Sequence, residues 1–139
     1  MHVPLMLSLD TRTTAGVLLL TIVAIEYGGW FLLRVVRDRP PATPFQQAFF
    51  RAGHAHAGVL VILALVGQIL ADATQMSGLL ATLAREGIPA AAILMSAGFF
   101  LSAAGRGITK PNQFIVLLYG GIVALTLGVI SLGIGLLTT

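Results

Sequence analysis

Four apolar runs, each long enough to cross a lipid bilayer as a helix, are the feature that most constrains how this chain can fold. A bilayer core of about 30 Å needs roughly 20 apolar residues in an α-helix. The runs are continuous and rich in leucine, alanine and glycine, which favours helices over strands. With 57% hydrophobic and 9% charged residues, the chain of 139 residues has too few polar groups to cover a soluble globule. We therefore predict an all-α polytopic membrane protein, one four-transmembrane-helix bundle over residues 1–139, with spans near residues 14–36, 52–73, 88–105 and 114–137.

The basic residues predict the orientation of these spans, because cytoplasmic linkers carry an excess of lysine and arginine. Two linkers on one side hold six of them, and the opposite side holds Arg12 and Arg85. We expect a multi-pass protein of a bacterial-type plasma (inner) membrane with both termini outside the cytoplasm. The first span is followed by arginine and not by a cleavage site of small residues, so we predict a retained helix and not a signal peptide. The six residues are Arg34, Arg37, Arg39, Arg51, Arg106 and Lys110.

Small residues recur at steps of three and four within the spans and predict close helix packing. The clearest stripe, in the fourth span, includes Gly121, Gly128 and Gly135, and a similar stripe in the second span includes Gly67. The second helix should begin earlier than its apolar part, because Thr43, Pro44 and Gln46 have the spacing of a capping box with proline at the first helical position. Its first turns, with Phe45, Phe49 and Phe50, are then expected at the lipid headgroups.

Ionisable residues at membrane depth are costly and usually face a partner inside the protein. Glu26 lies in "AIEYGG", eight residues before Arg34 and so about 12 Å from the cytoplasmic cations. His54 and His56 follow Arg51 in "RAGHAHAG" on a helix that runs the other way, which places them at a similar depth. We expect Glu26 to pair with one of these histidines.

A spacing of two residues turns the helix by about 200°, so the rings of His54 and His56 should point to opposite sides. His54 shares its face with Gln68 and is the residue expected to point inward, whereas His56 is expected at a neighbouring helix or a second subunit. Ser96 and Ser102 are expected to bond back to helix carbonyls. Asp72, Arg85 and Glu86 are interpreted as interfacial charges. The predicted polar site comprises Glu26, Tyr27, Arg51, His54, His56 and Gln68.

The H-x-H pair resembles the histidine pair in a membrane helix of haem-copper oxidases. That resemblance implies haem or a metal ion at His54 and His56, with Met76, Met95 or a histidine of another subunit completing the coordination. His2 is predicted on the other side of the membrane. The "EYGG" and "RAGHAHAG" segments also resemble small four-span bacterial membrane proteins, which implies a membrane location and no particular activity.

Three functions remain open at this point. The first is a proton- or cation-linked transporter or channel component that uses Glu26, His54 and Gln68. The second is a haem- or metal-binding redox module, and the third is an accessory or assembly subunit of a membrane complex. No catalytic motif and no basic stripe is present, so neither an enzyme nor a nucleic-acid partner is favoured. We expect the lipid bilayer and a second copy, or another membrane subunit, as partners.

Overall fold

A computed structural model describes residues 6–37 and 39–138, which form four antiparallel α-helices. Each helix is long and apolar enough to cross a membrane. The predicted all-α fold with four such helices is confirmed. We call the end with the α1–α2 and α3–α4 linkers the linker end, and the end with Ser8, the α2–α3 linker and Thr138 the terminal end. The helices are α1 (Leu9–Val36), α2 (Pro44–Asp72), α3 (Gly78–Ser102) and α4 (Ile115–Thr138).

Helices α3 and α4 approach each other most closely, because glycines on both remove the side chains between them. A Cβ atom at Gly87 would lie 2.6 Å from the Cα of Gly128, and one at Gly98 would lie 2.5 Å from the backbone nitrogen of Leu118. Such backbone contact is how helices gain packing energy in lipid. The four glycines that the sequence singles out are all buried against a neighbour: Gly121 against Met95, Gly128 against Gly87, Gly135 against Met76 and Gly67 against Ile88.

An aromatic cluster joins α2 and α3 at the linker end. Phe49 packs edge-on against Phe99 with ring centroids 5.5 Å apart, and Phe50 stacks on Phe100 at 5.7 Å. Phe45 packs against Phe49 at 4.2 Å. The prediction that the α2 phenylalanines contact lipid headgroups is thus wrong for Phe50, which is buried, because the first turns of α2 already face α3.

Two side-chain amides, those of Gln46 and Asn112, donate hydrogen bonds to carbonyls at the linker end. The predicted capping box is confirmed: the Thr43 side chain accepts from the Gln46 backbone, and the Gln46 side chain accepts from the Thr43 backbone. Gln46 Nε2 also donates to the carbonyls of Ala103 and Gly105, at 2.9 and 2.8 Å. Asn112 Nδ2 donates to the Leu101 carbonyl at 2.9 Å. Carbonyls at the end of α3 that lack a helical partner are satisfied in this way.

Helix α3 begins at Gly78, earlier than the predicted span near residue 88, and contains Pro89 in its interior. Proline has no N–H, so the carbonyl of Arg85, four residues earlier, loses its helical donor. Gln68 Nε2 of α2 donates to this carbonyl at 2.6 Å. The donor from α2 makes the proline tolerable, and the helix continues through it.

Helix α1 is attached at the side of the other three. It makes its main contacts with α2, and its buried residues are Thr11, Leu18 and Val35. It begins at Leu9, before the predicted span, because the Ser8 side chain accepts from the Thr11 backbone and caps the helix. A groove remains between α1 and α3.

Candidate functional site

The groove between α1 and α3 has a volume of about 300 Å³ and is open on one side. Helix α2 forms its floor through Val61, and its walls are mostly apolar, with Ile25 on α1 and Ala92 and Ile93 on α3. On α1 the lining extends from Thr14 to Gly28, a length of about 21 Å at 1.5 Å per residue. The groove is therefore long, narrow and apolar.

His54 lies at the linker half of this groove. Its imidazole packs over two glycines of α1: a Cβ atom at Gly28 would lie 3.3 Å from Nδ1, and one at Gly29 would lie 3.4 Å from Cε1. The "GG" of "EYGG" thus makes room for the first histidine of "HAH". Within residues 6–37 and 39–138, the ring makes no hydrogen bond.

Ser96 of α3 lines the same groove. Its Oγ atom is buried and has no hydrogen-bond partner among the described residues. This differs from the predicted bond back to a helix carbonyl, which Ser102 does make with Gly98. Since buried polar atoms in proteins are nearly always hydrogen-bonded, the free Oγ of Ser96 is a specific feature of the groove.

His56 points to the other side of α2, as the two-residue spacing predicts. Its Nδ1 lies 2.8 Å from the Ala52 carbonyl oxygen, and its ring centroid lies 4.9 Å from that of Phe99 on α3. A carbonyl can only accept, so Nδ1 carries a proton and donates it. His54 therefore faces α1 and His56 faces α3, and the two rings do not share a ligand site.

Glu26 is not brought to His54. Its side chain is exposed, and no ion pair between Glu26 and either His54 or His56 occurs within the part of the chain that the structure describes. Glu26 precedes Gly28 by two positions, a turn of about 200°, so α1 presents its glycines and not its carboxylate to the groove. Tyr27 and Arg51 of the predicted site are also exposed, and Tyr27 packs beside Trp30 with ring centroids 5.4 Å apart.

Gln68 lies fourteen positions beyond His54, about 21 Å along α2, and is occupied by the Arg85 carbonyl. It belongs to a polar network at the terminal end. Asp72 accepts from the backbone and side chain of Ser8, both at 2.9 Å, and forms an ion pair with Arg85 at 2.8 Å. Arg85 also donates to Thr11 Oγ1 at 3.0 Å.

The interpretation of Asp72 and Arg85 as interfacial charges did not include their pairing. The signal was present in the sequence, because the two residues flank the short α2–α3 linker on antiparallel helices and so lie at similar depth. Opposite charges at one depth on adjacent helices predict an ion pair.

The residues named for haem or metal ligation do not converge on the groove. Met76 packs against Gly135 and Met95 against Gly121, so both side chains contact α4. No cluster of three or more histidine, cysteine, aspartate or glutamate side chains occurs in the described ranges. His2 lies outside the described residues.

Comparison with known proteins gave no significant match to a family model, to a curated protein or to a solved structure.

Proposed function

We propose that this chain is a multi-pass protein of a bacterial-type inner membrane that holds a lipid-soluble molecule in the groove beside His54. One observation carries the proposal: His54 and Ser96 line a mostly apolar groove, and neither the imidazole nor the Ser96 hydroxyl has a hydrogen-bond partner among the described residues. Thr14 and Thr21 also line the groove, and Thr21 donates to the Leu18 carbonyl. Apolar walls with a small number of polar groups are typical of small-molecule sites.

The two polar groups favour a ligand with a polar head over plain acyl chains. A buried polar atom without a hydrogen bond is costly in an apolar medium. An acyl chain cannot supply a partner, whereas a hydroxyl or carbonyl head can bond to a ring nitrogen of His54, and to Ser96 Oγ once the buried serine side chain turns toward the groove. The volume of about 300 Å³ is at the lower end of the range for ligand pockets. We infer a slender molecule with an apolar body and one hydroxyl or carbonyl head.

The distribution of charge supports an orientation with both termini outside the cytoplasm. The linker end carries the six basic residues counted above, whereas at the terminal end Arg85 is paired with Asp72 and Arg12 remains. Because the chain contains no cysteine, single cysteines report accessibility cleanly. In intact cells, Gln75→Cys should react with a membrane-impermeant maleimide, and Thr109→Cys should react only after lysis. The reverse pattern would place the termini in the cytoplasm.

The ligand proposal is tested with photoreactive probes on the full chain in bilayers. One probe is a long-chain alcohol that carries a diazirine, and the second is the matching alkane without the hydroxyl. We expect the alcohol to label groove residues such as Ala92 and Ile93 several-fold more than the alkane does, because only the alcohol can bond to His54 and Ser96.

His56→Leu is the matched control, since His56 lies on the opposite side of the same helix. The excess labelling by the alcohol should disappear in His54→Leu/Ser96→Val and persist in His56→Leu. Equal labelling by both probes, or labelling spread over the exposed face of α4, would refute a polar-headed ligand.

Transport linked to protons or cations stays a prediction. Glu26, His54 and Gln68 are not adjacent to one another in this structure, so they do not form one shared polar site. Proteoliposomes would test it: Glu26→Gln and His54→Ala should lower the flux if these residues carry it. Haem binding, an accessory role and a homo-oligomeric state likewise stay predictions. A Soret band in the purified protein would favour haem.

A further inference from the structure

A second recess, distinct from the groove, lies at the linker end of α1. It has a volume of about 660 Å³ and is lined by Trp30, Arg34, Arg37 and Arg39. Three cations and one indole ring thus surround a single space. The predicted polar site includes none of these four residues.

The recess has a defined geometry. The guanidinium carbon of Arg34 lies 4.9 Å from the centroid of the Trp30 ring, a cation–π contact that orients the side chain. In the described ranges none of the three arginines forms an ion pair, since the one salt bridge found there joins Arg85 to Asp72. Adjacent guanidinium groups repel each other, and an anion among them would offset that repulsion.

We propose that this recess binds the phosphate headgroup of an anionic phospholipid. The inference depends on the membrane location proposed above and is independent of the groove ligand. Guanidinium groups match phosphate through paired N–H donors. Tryptophan is enriched at the membrane–water interface, and α1 ends at Val36, next to the arginines, so the recess lies where a span leaves the bilayer.

The α3–α4 linker serves as an internal comparison. Arg106 and Lys110 are also exposed cations at the linker end. Neither lines this recess, and the neighbouring Asn112 is occupied as a cap of α3. General attraction of anionic lipid to a basic surface would depend on the cations of both linkers, whereas a headgroup site requires the arginines at and just beyond the end of α1.

The chain contains one tryptophan, and it lines the recess. Phospholipids with brominated acyl chains quench tryptophan fluorescence by contact, so quenching of Trp30 reports which lipids lie beside it. The full chain is reconstituted in unlabelled phosphatidylcholine with a small fraction of brominated phosphatidylglycerol or brominated phosphatidylcholine. We expect the anionic lipid to show about fivefold higher apparent affinity at Trp30.

Two variants that each lose three positive charges distinguish headgroup binding in the recess from general electrostatic attraction of anionic lipid. Arg34→Gln/Arg37→Gln/Arg39→Gln should reduce the lipid preference to about onefold. Arg51→Gln/Arg106→Gln/Lys110→Gln removes three cations from the same end and should keep most of the preference. The preference is a ratio within one variant, so altered brightness of Trp30 does not affect it.

Equal quenching by both lipids in the wild type, or equal loss of preference in the two variants, would overturn the headgroup site and leave the membrane location standing. Quenching by neither lipid would place Trp30 outside the bilayer and overturn both the headgroup site and the membrane location. Millimolar inorganic phosphate should leave the preference unchanged. If it abolishes the preference, the recess takes soluble phosphate and the lipid assignment is wrong.

Discussion

The α3–α4 pair and α1 are held in the same bundle by different kinds of contact. Helices α3 and α4 meet backbone to backbone at Gly87 and Gly128. Helix α1 instead meets α2 through a histidine side chain over Gly28, and at the terminal end through hydrogen bonds from Ser8 to Asp72.

The difference shows what small residues do when they occur on one helix of a pair and not on both. Lipid is as apolar as leucine, so close packing and polar contacts decide which helices associate. Where glycine faces glycine, the backbones touch and no space remains. Where glycines of α1 face His54, the imidazole of α2 fills the space beside them. Helix α1 packs mainly against α2, and the groove lies between α1 and α3.

The largest effect is expected for a substitution that disrupts the close contact between α3 and α4. In Gly87→Ala, the new Cβ would lie 2.6 Å from Gly128 Cα and 2.8 Å from the Ala124 carbonyl oxygen, both of them backbone atoms. The helices must separate, so we expect the free energy of unfolding to fall by about 3 kcal/mol. Reversible unfolding in lipid–detergent mixtures measures it.

Gly120→Ala on α4 is the control, because nothing lies within 4 Å of its Cβ position. It should be neutral or slightly stabilising, since alanine favours helix over glycine. Equal stability of the two variants would contradict the close α3–α4 contact.

The next effect tests whether α2 holds α3 through one amide. In Gln68→Leu, the Arg85 carbonyl loses its donor, and we expect a loss of about 2 kcal/mol. In a Pro89→Ala background, the new N–H at position 89 can bond to that carbonyl, so the same substitution should cost less than about 1 kcal/mol. A double-mutant cycle measures the difference. Equal costs in both backgrounds would show that Gln68 acts by packing alone.

A smaller effect is expected for the hydrogen bonds that attach the start of α1 to α2. Asp72→Ala removes the acceptor of Ser8 and Arg85, and we expect a loss of about 1 kcal/mol, typical of hydrogen bonds within membrane proteins. Hydrogen exchange should accelerate in the first turns of α1 and not in α4. Glu86→Ala is the control for charge, because Glu86 is exposed at the same end. Faster exchange throughout the protein would mean that α1 is not a separately attached helix.

The smallest effect is expected at the looser contact between α1 and the His54 side chain of α2. In Gly28→Ala, the new Cβ would lie 3.3 Å from His54 Nδ1, and the side chain can yield by a few tenths of an ångström. We expect a loss of about 0.5 kcal/mol, since a flexible neighbour relaxes where a backbone does not. Gly16→Ala on the same helix meets nothing within 4 Å and should be neutral or stabilising. A loss as large as that of Gly87→Ala would show that α1 is packed as tightly as α4.

Several features followed from the sequence because they depend on neighbouring residues alone. The length and hydropathy of each run predicted four helices, and the spacing of Thr43, Pro44 and Gln46 predicted where α2 begins. The divergence of His54 and His56 followed from helical rotation. None of these features requires knowledge of where another helix lies.

The partners across helices were decided by the tertiary structure. Sequence placed Glu26 and His54 at similar depth, but depth leaves the rotation of each helix about its axis undetermined, and α1 turns Gly28 and Gly29 toward the imidazole. The third span was predicted near residues 88–105, whereas α3 begins at Gly78 and continues through Pro89, because a donor from α2 replaces the missing hydrogen bond. The groove beside His54 and Ser96 likewise exists only when three helices are placed together, because its walls come from α1 and α3 and its floor from α2.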